Sequence, residues 1–388
     1  MDPRTVHLSS RPLRGGRDRL ARVEPVAGLS VRAVYEHAFV RWESLEVDRE
    51  EAGASLPGFR EPASVRTFDA PEALGINFYE VRARSAINEV PRRSRMPFRY
   101  TINPYRGCSH ACVYCFARPT HTYLDLNARE DFERQIVVKV NAPELVRAEL
   151  ARPSWKGEHV ALGTNTDPYQ WVEGRYRLME GIWEAMRDFS NPCSVLTKSP
   201  LLLRDLKLMR EISERTEFTA SLSIPTLDEK AWRATEPHTP HPRKRIEAVA
   251  ELKRAGIRTG VLIAPLIPGV NDSPDQVEPL LGLLEEAGAD SIGGVALHLR
   301  GEVRDIWFDW LRGHRPDLVP RYEELYERGA YMRREEADRL AAMVRRGARG
   351  GASRRSRRPA TRAEADAAEP AGGPSHRMDP EGGQRRLF

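Results

Sequence analysis

Three of the four cysteines in this chain fall in one short stretch, Cys108-Ser109-His110-Ala111-Cys112-Val113-Tyr114-Cys115, and the fourth is Cys193. Closely held thiolates repel one another unless a metal neutralises them. Three thiolates are also one ligand short of a closed tetrahedral set, and a missing ligand leaves a coordination position open to a substrate. The stretch therefore reads as a reactive metal centre. The plain alternative is a zinc site completed by His110, His121 or a distant residue. Zinc sites usually pair one C-x2-C knuckle with a second downstream, and the sequence has no second pair. His110 and His121 read more simply as hydrogen-bonded scaffold than as ligands.

The elements around the loop follow a regular alternation. Strand-like runs occupy 98–103, 159–163, 194–197, 217–224, 258–265 and 291–297. Helix-period segments lie between them at 143–151, 178–189, 203–215, 243–255 and 274–287, with stripes such as Ile246, Val249, Ala250 and Leu252. Gly256 and Gly288 stand where helices end. Repeated strand–helix units imply parallel strands with right-handed crossovers. Six of them suit a partial (β/α)6 TIM-like barrel better than an open two-sided sheet, although the period alone fits both. In either case the loops leaving the strand C-terminal ends converge on one face, and the cysteine loop is the first of them.

Outside the barrel, expected at 96–330, the chain divides into four pieces. Residues 1–41 are Arg- and Gly-rich with a short helix near 29–40, and Val40 would serve as an alternative start, leaving 1–39 outside the native protein. Residues 42–95 form an N-terminal extension packed on the core, with an extended run at 75–81. A C-terminal helix is expected at 331–344. The tail, 345–388, is rich in Arg, Gly and Ala and cannot bury enough apolar surface to order itself.

Composition narrows the class. With 40% hydrophobic and 30% charged residues the chain has an ordinary soluble balance, and 61 basic against 56 acidic residues is only a mild positive excess. No apolar run is long enough for a signal peptide or a membrane span. Four cysteines, three of them in one loop, do not make a disulfide framework, which points to a reducing cytoplasm.

The spacing C-x3-C-x2-C with Tyr114 before the last cysteine resembles the signature of radical S-adenosylmethionine (SAM) enzymes. The longer run from Asn103 to His121 resembles the branch related to spore photoproduct lyase, and within it an uncharacterised actinobacterial-type subfamily. The resemblance covers roughly 42–328. It implies a [4Fe–4S] cluster on Cys108, Cys112 and Cys115, with the amino and carboxylate groups of SAM on the fourth iron. It also implies reductive cleavage of SAM to a 5′-deoxyadenosyl radical, fed by an external flavodoxin- or ferredoxin-type donor.

Residues for SAM follow from the strand ends. After the second strand Thr164, Asn165, Thr166 and Asp167 offer polar atoms where many relatives carry a Gly-Gly-Glu-like motif, and Asp167 suits either the SAM ammonium or a cap of its own turn. The resemblance puts Lys198 near the SAM carboxylate and Tyr114 near the adenine, where it is equally a core aromatic. Ser221 and Ser223 share one face of the fourth strand and read as SAM contacts or as small barrel-filling residues.

The same resemblance suggests a nucleic-acid substrate, a DNA lesion or modified base. Arg233, His238, His241, Arg243, Lys244 and Arg245 form a basic segment, which is also what a solvated face looks like. The end of the chain, with Gln384, Leu387 and Phe388, resembles the peptides that repair proteins insert into a sliding clamp. One departure stands out: the lyase uses a further cysteine as hydrogen donor, and the only candidate, Cys193, lies at a different spacing where a buried thiol is expected. The alternatives are a radical SAM enzyme acting on a small molecule or peptide and, more weakly, a non-catalytic Fe–S or zinc protein.

Overall fold

In a computed structural model, residues 64–91, 94 and 96–347 are described. The expected 29–40 helix, the alternative start at Val40 and the clamp-like peptide lie outside those residues. The strands are β1 (Ser64–Arg66), β2 (Asn77–Val81), β3 (Ile87–Glu89), β4 (Tyr100–Ile102), β5 (Tyr105–Arg106), β6 (Gln135–Lys139), β7 (Val160–Leu162), β8 (Cys193–Thr197), β9 (Phe218–Ser223), β10 (Thr259–Leu266) and β11 (Ser291–Ala296). The barrel sheet runs β11-β10-β9-β8-β7-β4-β3. Its pairs from β4 to β11 are parallel, and β3 joins antiparallel beside β4. The six expected strands are therefore present in one parallel set, with ends that differ from expectation by at most two residues.

Alternation sets what each strand shows to either side. Val195, Ala220, Leu222, Val261 and Ile263 are buried in the main core with the helices. Ser194, Leu196 and Ser221, on the opposite parity, are only partly buried and face the lumen. The helices Ala142–Leu150, Leu178–Asp188, Pro242–Arg254 and Pro274–Glu286 match the expected segments. The segment expected as one helix at 203–215 is a 3-10 turn, Pro200–Asp205, followed by the helix Leu206–Ser213. Ser199 caps the turn by accepting from the Leu201 N–H, which starts it early.

The second sheet, β1-β2-β6-β5, is not visible in the sequence pattern. β2 is the expected extended run, but β6 follows the short helix Glu130–Arg134 without punctuation, so its strand character is masked. Phe78, Tyr105, Ile136 and Val138 bury one face of this sheet against Val172 and Leu178. β5 leads directly into the cysteine loop, so this sheet anchors the start of the loop. On the far side, the helix Arg334–Gly347 packs on β11, where a Cβ on Gly294 would meet Val344 at 2.8 Å. No helix among the described residues is long and apolar enough to cross a membrane.

Candidate functional site

The cysteine loop has neither helix nor strand of its own, so its backbone is held by outside partners. Gly107 opens it at φ +82, and a Cβ there would lie 2.8 Å from His121 and 2.9 Å from the Phe132 carbonyl. That position admits only glycine. The Cys108 N–H donates to the Phe132 carbonyl and the Val113 N–H to the Thr235 carbonyl. Gln170, wholly buried, accepts from the Ser109 N–H and donates to the Gly107 carbonyl.

The three thiols are free, with Cys108 and Cys112 buried and Cys115 partly so. Burial pushes Cys115 up to about 11, aided by Cys108 and opposed by the Ala117 amide, Arg118 and Lys198. Cys112 is raised well above its ordinary value by burial and by Glu236. As thiols Cys112 and Cys115 resist ionising, and a metal that takes their protons reverses that preference.

Lys198, Ser223 and Tyr114 come together as expected from the strand ends, around a residue that no local sequence pattern singles out. Lys198 Nζ donates to Ser223 Oγ at 2.7 Å and pairs with Glu236 Oε1 at 2.8 Å, 5.6 Å from the Tyr114 ring centre. The Tyr114 hydroxyl donates a short hydrogen bond to the same Glu236 oxygen. Arg245 closes the other side, with Nη2 at 2.6 Å from Glu236 Oε2 and 2.5 Å from Thr239 Oγ1. Burial alone would raise the Glu236 carboxyl, but Arg245 and Lys198 outweigh it and hold the group well below the usual range.

Glu236 was hidden because it faces Tyr114 across most of the barrel sequence and sits inside the basic segment. Arg245 is also corrected by this geometry: it is fully buried against Glu236, not part of a basic surface. Of its neighbours, Arg233 pairs with Glu229 and Lys244 with Glu247 on the surface, which reduces the free positive charge there.

The loop after β7 is less open than the sequence implies. Asp167 has both oxygens occupied: Oδ1 accepts from Thr197 Oγ1 and the Tyr169 N–H, Oδ2 from the Lys198 N–H at 2.7 Å. His110 Nδ1 stands 3.3 Å from Asp167 Oδ2, a charge contact without hydrogen-bond geometry. Burial would lower His110, but Cys108 and Asp167 together raise it to about 10. The Asp167–Tyr169 bond is the turn cap that was one of its two expected roles. Thr166 is buried and donates to the Tyr105 carbonyl. Thr164 and Asn165 are half-buried, and the Asn165 N–H donates to Asn103 Oδ1. Ser221 faces Gly260, where an added Cβ would stand 2.7 Å from its Oγ. His121 Nε2 donates to the Gln135 carbonyl, 2.9 Å away, in keeping with a scaffold role.

The model of the radical SAM superfamily matches residues 102–281, from β4 through the cysteine loop to the helix Pro274–Glu286. An uncharacterised protein of Mycobacterium tuberculosis is 47% identical over 278 residues, covering 72% of this chain and 82% of the relative. The chain belongs to the radical SAM superfamily. An uncharacterised protein of Methanocaldococcus jannaschii is 30% identical over 208 residues, 53% of this chain and 73% of its own length. Among solved structures, spore photoproduct lyase complexed with dinucleoside spore photoproduct superposes with a TM-score of 0.52 at 17% identity, over 76% of this chain and 84% of that one. A double mutant of that lyase with bound AdoMet and dinucleoside spore photoproduct gives the same score and identity, over 76% and 84%. These likenesses establish a shared fold.

Radical SAM enzymes use a [4Fe–4S] cluster and SAM, and the donor set here fits that pair. Among the described residues no three His, Cys, Asp or Glu side chains are grouped to hold a single ion. A cluster asks for a wider triangle, because each thiolate binds a different iron. Cys193 stands apart: it opens β8 in the main core, on the helix-facing parity of Val195. Burial raises its thiol far above the ordinary value.

Proposed function

We propose that Cys108, Cys112 and Cys115 carry the cluster, that Lys198 takes the carboxylate of SAM, and that the substrate is a nucleic acid bearing a lesion or modified base. The observation that carries the SAM placement is the charge balance at Lys198. Glu236 is one acid facing two bases, Lys198 and Arg245, so one positive charge is left over at the lumen. Lys198 Nζ has three donors and the described residues take two of them. When bound, the cluster and SAM supply a 5′-deoxyadenosyl radical that abstracts hydrogen from a substrate.

The other residues divide by what they still have to offer. Tyr114 is buried in the main core beside Lys198 with its hydroxyl engaged, and is proposed to back the adenine from there. Thr164 and Asn165, half-buried at the end of β7, suit the ribose and ammonium. Ser221 and Ser223 line the lumen on β9, Ser223 also steadying Lys198. Asp167 and Thr166 act from behind: Asp167 holds the Lys198 backbone and Thr166 the start of β5.

The nucleic-acid reading is supported by the fold neighbour, which holds a dinucleoside photoproduct. Cys193 faces the helices, away from the lumen, so a route needing a lumen cysteine as hydrogen donor is left out of the proposal. Gln384, Leu387 and Phe388 are proposed to dock on a sliding clamp; deleting 384–388 should abolish clamp binding, and unchanged affinity would remove that partner. The reaction itself is tested by anaerobic reconstitution with iron and sulfide, dithionite in place of the flavodoxin- or ferredoxin-type donor, and chromatography for 5′-deoxyadenosine. We expect SAM cleavage in the full-length chain and none in Cys112→Ala. Ultraviolet-irradiated DNA should accelerate cleavage over undamaged DNA. Equal rates with both, or faster turnover with a peptide, would replace the nucleic-acid reading by the small-molecule or peptide one.

A further inference from the structure

Arg118 lies three residues beyond the last cysteine of the loop and turns back to bind the loop's backbone. Its side chain is 1% exposed. Nε donates to the Cys112 carbonyl at 2.9 Å and Nη2 to the Ala111 carbonyl at 3.0 Å. Nη1 donates to the carbonyls of Ala128 and Arg129 at 3.1 and 3.0 Å, and Nη2 also pairs closely with Glu133. The guanidinium lies 5.3 Å from the Phe132 ring centre, and the Phe132 carbonyl is the acceptor for Cys108. All five guanidinium donors thus have partners, four of them backbone carbonyls.

Two features of the loop make this set more than packing. Ala111, between the first two cysteines, has φ +54, a conformation that costs a non-glycine residue about 1 kcal/mol or more and persists only where neighbours over-determine it. Arg118 grips the carbonyl of that residue and of the next. Its acidic partner, Glu133, is 29% exposed, so solvent screens the pair from one side.

We propose that Arg118 is the positioning residue of the cysteine loop. It fixes the backbone of Ala111 and Cys112 so that the three thiols stand apart and ready for metal, and its charge favours the electron-rich state of the group they hold. This rests on the reading that Cys108, Cys112 and Cys115 carry the cluster. A lysine can keep the charge but not the five-donor fork, and Glu133→Gln leaves the fork but removes its counter-charge.

The test uses the full-length chain, reconstituted anaerobically, as wild type, Arg118→Lys, Glu133→Gln and the triple Cys108/Cys112/Cys115→Ala variant. Iron content, the rate of iron loss to a chelator and the midpoint potential from an EPR-monitored titration with dithionite are read on each. A wild type that binds no cluster, or a triple variant that keeps one, ends the underlying reading whatever Arg118 does. With that reading intact, Arg118→Lys should lose iron at least about tenfold faster than wild type, since a lysine cannot span the carbonyls of both loop segments. Glu133→Gln should raise the midpoint, by about threefold or more in the one-electron reduction equilibrium, because the guanidinium charge is less compensated. Wild-type iron retention in Arg118→Lys overturns the positioning role, and an unmoved midpoint in Glu133→Gln overturns the electrostatic one. If circular dichroism shows Arg118→Lys to be unfolded even without iron, the Glu133→Gln midpoint decides alone.

Discussion

Two glutamates of this chain, Glu236 and Glu173, sit in similar settings with opposite charge balance. Both are fully buried, both accept from a tyrosine hydroxyl, Tyr114 and Tyr105, and both pair with an arginine, Arg245 and Arg204. Around Glu173 the next ionic neighbour is another acid: Asp205 shares Arg204, and the N–H groups of Leu178 and Met179 take up the Glu173 oxygens at the start of a helix. Burial dominates there and the Glu173 carboxyl is raised. Around Glu236 the next neighbour is a base, Lys198, and the carboxyl is lowered. The first network is closed, and it fixes where a helix begins. The second leaves a positive charge at the lumen, where an anionic ligand group would be received.

The sharpest way to break that contrast is to neutralise each glutamate in turn. Glu236→Gln leaves Arg245 and Lys198 together without a carboxylate, and breaking a buried pair from one side costs about 3–5 kcal/mol. Glu173→Gln removes an acid where acids are in excess and keeps an oxygen for Arg204, so about 1 kcal/mol is expected. Urea unfolding of the two variants beside wild type measures both. Equal losses would mean that the charge balance around the two groups is not what distinguishes them.

A smaller effect should appear only in binding. Lys198→Met leaves Glu236 with Arg245 as a neutral pair, so stability should change little. SAM affinity should fall about 10- to 100-fold, the worth of one charge-assisted hydrogen bond. Isothermal titration of the reconstituted variant with SAM reads this. Unchanged affinity would leave the extra cation of the second network without a ligand to serve.

The two networks also show what a sequence can disclose. The cysteine loop, Lys198, Ser223 and Tyr114 were legible because each belongs to a local pattern: a ligand spacing, a strand end, an alternation. Six parallel strands were legible for the same reason. Glu236 was not, because its meaning lies in tertiary contacts with Tyr114 and Lys198 on distant segments, and its own neighbourhood reads as basic surface. Arg118 was likewise inside the recognised run but had no signature, since its partners are backbone carbonyls and any residue supplies those. β6 was missed because the helix Glu130–Arg134 runs into it without punctuation and masks the strand character of Ile136, Val137 and Val138. Asp167 fell between: the turn it caps was legible, but not the Lys198 amide that takes its second oxygen.

The subtlest difference between the glutamates lies in acid. Glu236, held below its unfolded value of about 4.3, contributes stability that is complete above that value and is lost as pH falls through its native pKa. Glu173 has the opposite sign: its native pKa is raised, so protonation favours the folded chain as pH falls through that pKa. A third group complicates the upper range. Burial lowers His121 to about 4, so its contribution is complete above about 6.5 and is lost between there and 4 in every variant that keeps it. The Glu173 comparison is therefore read just above about pH 4.3, between its unfolded and native values, and the Glu236 comparison below about pH 4.3, each as the slope of unfolding free energy against pH. Glu236→Gln should be flatter than wild type there, because a group that must be protonated at a cost is gone. Glu173→Gln should be steeper, because a group that gains from protonation is gone. Three parallel slopes would show that neither carboxyl titrates differently in the folded and unfolded chains, and the contrast in their surroundings would then have no energetic consequence.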